Sequence, residues 1–386
     1  MKIKILHIIP FFSPKFGGSV NTVYGLTKKL AQRGHEVSIL TTTFHFDKKY
    51  ANSLVDVNVI PIKYFINWGL FIYSPRITDF LKKNLQHFDI IMLHEYRSYQ
   101  NAIVSKYAKI HSVPFCLDAH GTLLPFWHWQ KLKKIYDIVW GKKMLNETTE
   151  FIVSTNDEKQ QYLKYGVDFE KISIIPRGID ISQYNIIIDN NLFRQKYNIG
   201  SDDFVILYLG RIHSIKGLDL LTYAYSKLTK VYENIVLVIA GSDDGYLLSL
   251  KNQISNYGIE KKVIITGHLY EDEKIMALKT ADLVVVPSYY ESFGNVIVEA
   301  MASKTPVLVS KKCGILQTVS EEIMHVCDSD KESLYDAIQK IYLDENYRKK
   351  FVIRAFEYTE MHFSWKNVVQ QFESLFYKII NDRQTG

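Results

Sequence analysis

Cysteine is scarce: the 386 residues contain three (Cys116, Cys313, Cys327), with no C-x-x-C pair among them. An odd, scattered set builds neither a disulfide framework nor a cysteine zinc site, and it fits a reducing cytoplasm. Long apolar runs are missing too. A membrane-crossing helix needs about 18 uninterrupted apolar residues. The nearest candidate, 57–73, is broken by Pro61, Lys63 and two asparagines. The first residues, MKIKILHIIPFFSPKFGG, begin like a secretory leader. His7 and Pro10 interrupt the run and no small-x-small cleavage site follows, so it reads as a first strand. Low-complexity tracts and short-period repeats are also absent. With 47% hydrophobic and 23% charged residues, the composition excludes a disordered chain and predicts a large core.

Charge is present but uneven. Residues 1–180 hold 24 basic and 15 acidic side chains, or +9, and the remaining residues hold 23 and 26, or −3. A basic first half suits nucleic acid, anionic lipid or phosphorylated substrates, and net charge does not choose among them. The cations are not gathered in a nucleic-acid motif, and the sharpest motifs lie in the acidic half, which speaks against a nucleic-acid module.

Short Val/Ile-rich runs alternate with helix-length amphipathic segments: 4–9, 37–42, 57–60, 90–93, 115–118, 151–154 and 172–175, then again at 204–209, 236–240, 263–266, 283–286 and 307–309. Continuous apolar runs, separated by spacings such as Val20, Val23, Leu26 and Leu30, predict buried parallel strands joined by crossover helices. The grammar restarts after a turn-rich stretch near 176–203, so the expected fold is α/β, two Rossmann-like doubly wound domains. The tail, 344–380, has a helical pattern throughout.

Three segments carry chemistry. Gly17 and Gly18 stand between the first strand and the helix from Val20. They fit either a plain tight turn or backbone N–H groups meeting a phosphate at a helix N-terminus. The pattern is neither G-x-G-x-x-G nor a Walker loop, which speaks against dinucleotide enzymes and NTPases. Gly210-Arg211-Ile212-His213-Ser214-Ile215-Lys216-Gly217 follows a strand at its carboxyl end, where open α/β sheets place ligands. Arg211 and Lys216 are either a clamp on a diphosphate or two solvated cations. Ser288 to Asn295 leads into a helix carrying Glu299. Two carboxylates invite a glycosidase reading, but a strand-to-helix corner does not obviously set them about 5–9.5 Å apart across one bond. Free N–H groups near Asn295 holding a phosphate, with Glu291 and Glu299 accepting from sugar hydroxyls, fit better.

Taken in order, Gly17-Gly18, Pro176-Arg177-Gly178-Ile179-Asp180, G-R-x₄-K-G at 210–217, Ala240-Gly241, Gly267 and E-x₇-E from Glu291 to Glu299 resemble the GT-B glycosyltransferases of family 4. The resemblance implies two domains facing a cleft: residues 1–180, with a last helix at about 365–386 packing back on them, and residues 181–364. It also implies a retaining hexosyltransferase that uses a UDP- or GDP-linked sugar, with no cofactor and no metal. In that pattern Arg211 and Lys216 hold the diphosphate and Glu299 binds the ribose. Glu291 meets the transferred sugar, beside the backbone of Phe293, Gly294, Asn295 and Val296. Gly17 and Gly18 approach the diphosphate from the other domain, Gly210 shapes its loop, Gly267 and His268 border the base, and His120 lies against the donor sugar.

The chain departs from the family pattern at two places. Arg177 stands where asparagine is common, and Cys313-Gly314-Ile315-Leu316-Gln317 replaces Gly-Gly-x-x-Glu. Asp328-Ser329-Asp330 looks like a metal-binding D-x-D, but its position before Leu334 predicts a helix cap. On a helix over 125–145, Trp129, Leu132, Ile135, Tyr136, Val139 and Trp140 form one stripe beside Lys131, Lys133, Lys134 and Lys142. That stripe either packs on the sheet or lies on an anionic membrane surface. The expected protein is cytoplasmic, peripheral at the inner membrane face, and acts on a glycan or lipid-linked acceptor in polysaccharide or glycoconjugate biosynthesis. A sugar-nucleotide epimerase of the same shape is the alternative.

Overall fold

The computed structural model describes residues 1–69, 71–124, 130–186, 188–319 and 321–385. The chain divides into two compact units, Met1–Gly178 with Trp365–Gly386, and Ile179–Ser364. The first unit has strands β1 (Lys4–Ile8), β2 (Glu36–Thr42), β3 (Val57–Ile62), β4 (Ile66–Trp68), β5 (Phe71–Tyr73), β6 (Ile90–His94), β7 (Phe115–Asp118), β8 (Glu150–Val153) and β9 (Ile172–Ile174). Seven of these form a parallel sheet in the order β3-β2-β1-β6-β7-β8-β9, while β4 and β5 make a separate antiparallel pair.

The second unit has β10 (Phe204–Leu209), β11 (Ile235–Ala240), β12 (Val263–Gly267), β13 (Leu283–Val286), β14 (Val307–Ser310) and β15 (His325–Cys327), all parallel, in the order β12-β11-β10-β13-β14-β15. Both sheets are doubly wound. Each reverses direction beside its first strand, between β1 and β6 and between β10 and β13, and such reversals are where open sheets bind ligands at strand carboxyl ends.

Each sheet is apolar on both faces. In the first unit Ile3, Ile5 and Ile9 belong to one cluster, and Leu6 and Ile8 to another across the sheet. The second unit repeats this with Val205 and Leu207 against Ile206 and Tyr208. Continuous rather than alternating apolar strands follow from burial on both sides.

The last helix, Trp365–Thr385, lies on helix Gly18–Gln32 within the first unit, with Val368, Val369, Phe372 and Phe376 buried. Trp365 fits between two glycines: a Cβ on Gly25 or on Gly178 would lie 2.3 Å from an indole carbon. Neither position accepts even alanine without moving the indole.

The 125–145 segment is not one continuous helix. Its described part runs as α-helix Gln130–Tyr136, a π-helical turn Asp137–Gly141, and α-helix Lys142–Glu147. Of the expected stripe, Tyr136 is buried, whereas Leu132, Ile135, Val139 and Trp140 are exposed, as is Ile138. Trp129 lies outside the described residues. The π turn adds a residue per turn and rotates the stripe out of phase. It falls where Gly141 meets Tyr96, whose hydroxyl would sit 2.4 Å from a Cβ at 141.

Candidate active site

In the second unit, two loops leave the sheet on either side of its reversal. The loop after β10 carries Gly210 and Arg211, then a tight turn, Ser214–Lys216, whose first N–H groups include Ile215 N donating to His213 Nδ1 at 3.1 Å. Gly217 closes the turn in the left-handed region (φ 68°), and a Cβ there would come within 2.1 Å of the Pro287 carbonyl oxygen. Glycine is therefore the residue that brings the 210–217 loop against the loop after β13. Tyr289 N donates to Ile215 O at 2.9 Å across the same seam.

These loops bring the expected residues together. Lys216 Nζ lies 2.6 Å from Glu291 Oε2, with both side chains largely buried. Glu291 pairs as a short bridge with Cys313, and Gly314 N donates to Glu291 O at 2.8 Å. A Cβ at Gly314 would lie 2.3 Å from the Ser292 carbonyl oxygen. Gly314, the glycine this segment shares with the Gly-Gly-x-x-Glu pattern, therefore lets this backbone run against the Glu291 loop.

Gly294 (φ 87°) starts helix Asn295–Ala302, leaving the N–H groups of its first turn, at Asn295 and Val296, pointing out of the helix end. Phe293 is buried against Phe363, so it offers the site only backbone. One turn in, Glu299 Oε1 accepts from Lys274 Nζ at 2.7 Å. Tyr184 is also bonded to Glu299, and its hydroxyl is held well above the ordinary tyrosine range by burial and by that carboxylate. Gly267 (φ 76°) ends β12, and His268 follows. The imidazole of His268 is pushed toward its neutral form by burial and then by the nearby Lys274 charge. Arg211 is more open and pairs with Asp244, while Tyr208 Oη donates to Arg211 O at 2.7 Å. Lys274, Tyr184 and Asp244 join this constellation from segments that carry no sequence signal.

The outcome is a site in which every cation is matched to a carboxylate: Arg211 to Asp244, Lys216 to Glu291, Lys274 to Glu299. A bound anion must compete with those carboxylates. Two of the three pairs are shielded from solvent, so their attraction is stronger than a surface ion pair's.

In the first unit, Gly17 (φ 71°) caps helix Gly18–Gln32 without a side-chain bond, leaving the first-turn N–H groups pointing out of the helix end. Glu95, at the carboxyl end of β6, faces the hydroxyls of Ser19 and Thr122, and burial pushes its carboxyl up to about 7. His120 sits in a left-handed turn with Gly121 (φ 49° and 79°) after β7. Its side chain is 3% exposed and both ring nitrogens are engaged: Nε2 with His94 Nδ1 at 2.9 Å, and Nδ1 with Arg177. What this turn presents outward is its backbone.

His94, Asp118 and His120 place ligand-type atoms within 4.8 Å of one another. The ring nitrogens that would bind a metal bond each other and the Arg177 guanidinium, a donor set that opposes a cation. Asp330 caps helix Lys331–Leu343, accepting from Glu332 N and Ser333 N, so the D-x-D look-alike is a helix start.

Residues 16–183 match the model for Glycosyltransferase Family 4, and residues 189–358 match that for Glycosyl transferases group 1. An uncharacterized glycosyltransferase of Methanocaldococcus jannaschii is 26% identical over 98% of each chain. The lipopolysaccharide 1,2-N-acetylglucosaminetransferase of Salmonella typhimurium is 36% identical over 52% of this chain and 55% of its own. Anabaena HepE, solved in complex with UDP and glucose, superposes with a TM-score of 0.82 over 97% of this chain and 100% of its own, at 19% identity. The protein is a glycosyltransferase and belongs to the GT-B enzymes of family 4.

Proposed function

We propose that this enzyme moves a hexose from a UDP- or GDP-linked sugar to a glycan or lipid-linked acceptor, with the anomeric configuration retained. The observation that carries the reading is the second-unit constellation. There Arg211, Lys216 and the start of helix Asn295–Ala302 supply charge and N–H donors for a diphosphate, and Glu291 and Glu299 supply acceptors for sugar hydroxyls. The UDP and glucose named for Anabaena HepE support a uridine donor, and the Salmonella relative's name supports an envelope glycan acceptor.

On binding, the diphosphate takes over Lys216 and Arg211 from their carboxylate partners. Glu291, released from Lys216, is then available to a hydroxyl of the transferred sugar. The acceptor hydroxyl attacks the anomeric carbon on the face that the nucleoside diphosphate leaves. The leaving phosphate oxygen takes the acceptor's proton, so no side-chain nucleophile is required. Arg211 and Lys216 offset the charge that grows on the departing diphosphate. The reaction runs without a cofactor or resident metal, since these two cations do what a metal would do. Glu299 holds the ribose, and His268 and Gly267 border the base; the resemblance assigns the Gly17-Gly18 N–H groups to the diphosphate and the His120 turn to the donor sugar.

The exposed Leu132, Ile135, Ile138 and Val139, beside Lys131, Lys134 and Lys142 and next to Phe71 and Trp140 (ring centroids 5.9 Å apart), support reversible docking on the cytoplasmic face of an anionic membrane. Among the described residues no helix is long and apolar enough to cross a membrane. The epimerase alternative is not favoured, because both matching family models and the named relatives are glycosyltransferases.

A panel of UDP- and GDP-sugars, assayed for nucleoside diphosphate release with and without acceptor, tests the reading. Acceptor-dependent release with an unchanged anomeric centre supports it. An inverted product refutes the mechanism, and conversion of the sugar nucleotide without any acceptor refutes the transfer.

A further inference from the structure

Buried in the first unit are three imidazoles and one guanidinium in a row, and the chemistry above uses only the outward backbone of one of them. His7 Nδ1 lies 3.0 Å from His94 Nε2, His94 Nδ1 lies 2.9 Å from His120 Nε2, and His120 Nδ1 meets Arg177. Successive ring planes differ by 8° and 17°, and the three imidazoles are almost fully shielded from water.

We infer that Arg177 is a positioning residue: by donating to His120 Nδ1 it sets a single proton direction along His120, His94 and His7, and so fixes the left-handed His120-Gly121 turn. A guanidinium has donors and no acceptor, so His120 Nδ1 must present its lone pair. The proton of neutral His120 then sits on Nε2 and is donated to His94 Nδ1. His94 in turn carries its proton on Nε2 and donates to His7 Nδ1. The row ends at His7 Nε2–H, which is buried with no partner among the described residues. Burial keeps all three rings neutral, with His7 held down to about 3 and the Arg177 charge adding to the effect at His94 and His120.

The opposite polarity is available to the same atoms. Asp118 Oδ1 is 3.3 Å from His120 Nδ1, so a His120 Nδ1–H has an acceptor ready. Each ring would then carry its one proton on Nδ1, donating toward Asp118 instead of toward His7, and His7 Nε2 would no longer bear an orphaned hydrogen. Arg177 selects between these two states. Asp118 also accepts from His120 N at 3.0 Å and lies 3.8 Å from the Arg177 guanidinium. The turn is therefore held through both its ring and its backbone. A non-glycine residue at positive φ persists only when its surroundings over-determine it.

Long-range nitrogen–proton NMR on the full chain, with ring signals assigned through single His→Gln variants, reads the tautomers directly. In the wild type, His7, His94 and His120 should all carry the proton on Nε2. Arg177→Met should move all three to Nδ1 together, whereas Arg177→Lys, also donor-only, should keep them on Nε2. A wild-type His120 protonated on Nδ1, or an Arg177→Met protein with unchanged tautomers, overturns the inference; the wild-type spectrum decides even if the Met variant fails to fold. The consequence for turnover rests on the donor-sugar reading of the His120 turn: kcat should fall about 10- to 100-fold in Arg177→Met and recover in Arg177→Lys. Switched tautomers with unchanged kcat would leave the proton direction standing and remove that turn from the donor site.

Discussion

Lys216 and Glu291 are 75 residues apart in the chain, yet Nζ and Oε2 meet at 2.6 Å across the two loops that flank the reversal of the second sheet. That pair sets the resting state of the site. Under the proposed function, Lys216, which receives the diphosphate, and Glu291, which receives a sugar hydroxyl, are each already paired, so ligand binding would be an exchange of partners.

Removing either cation of the 210–217 loop should mainly lower turnover. Arg211→Ala and Lys216→Ala are each expected to cost on the order of 10²–10³ in kcat, the usual effect of losing one donor aimed at developing charge. Steady-state kinetics with the identified donor checks this, and a chelator should leave the wild-type rate unchanged.

The two carboxylates should separate by the parameter they affect. Glu299→Gln is expected to weaken free UDP or GDP, because the ribose is remote from the reacting bond. Glu291→Gln should lower kcat with little effect on the free nucleotide. Equal losses of nucleotide affinity in both variants would contradict the division.

Gly217→Ala tests the seam between the loops. The new Cβ would overlap the Pro287 carbonyl at a backbone angle that side chains disfavour, so the loops must part. A loss of about 1–3 kcal/mol in stability is expected, with donor affinity falling in parallel. Denaturant unfolding and nucleotide titration measure the two effects separately.

Glu95 should leave a signature in the pH dependence of stability. Its folded value near 7 lies above the ordinary 4.5, so between those limits the folded state binds more protons than the unfolded one, and stability falls as pH rises. Below 4.5 the penalty is absent, and above 7 it is complete, on the order of 3 kcal/mol. Glu95→Gln should therefore gain stability relative to wild type as pH climbs from 4.5 to 7 and hold that gain beyond it. A pH-independent difference would show that the carboxyl is not shifted.

The lysine-flanked apolar face should bind anionic vesicles at low salt and release them as salt rises, since each lysine contributes only about 1 kcal/mol. Flotation with Lys131, Lys134 and Lys142 replaced should show the binding lost. Retention would mean that this face does not dock through charge.

Much of the architecture was legible in the sequence because parallel strands buried on both faces leave unbroken apolar runs, as in Leu283–Val286 and Phe204–Leu209. Shorter elements were not. The β4–β5 pair and the three-residue β15 are too brief to stand out from their neighbours, and the stripe over 132–140 was misphased by a π turn that periodicity does not reveal. At the site, motif spacing named Arg211, Lys216, Glu291 and Glu299, but their carboxylate and cation partners were only partly visible. Lys274, Tyr184 and Asp244 arrive from distant segments. Arg177 stood out as a departure from the family pattern, while the histidine row it bonds needed three strands in register before it could be seen.

The most direct measurement is calorimetric titration of UDP and GDP into the wild-type chain and into an Arg211→Ala/Lys216→Ala double variant. One of the two nucleotides should bind the wild type, and the double variant should bind it at least 10-fold more weakly. Equal affinity in both proteins, or no binding of either nucleotide to the wild type, would contradict the proposed function.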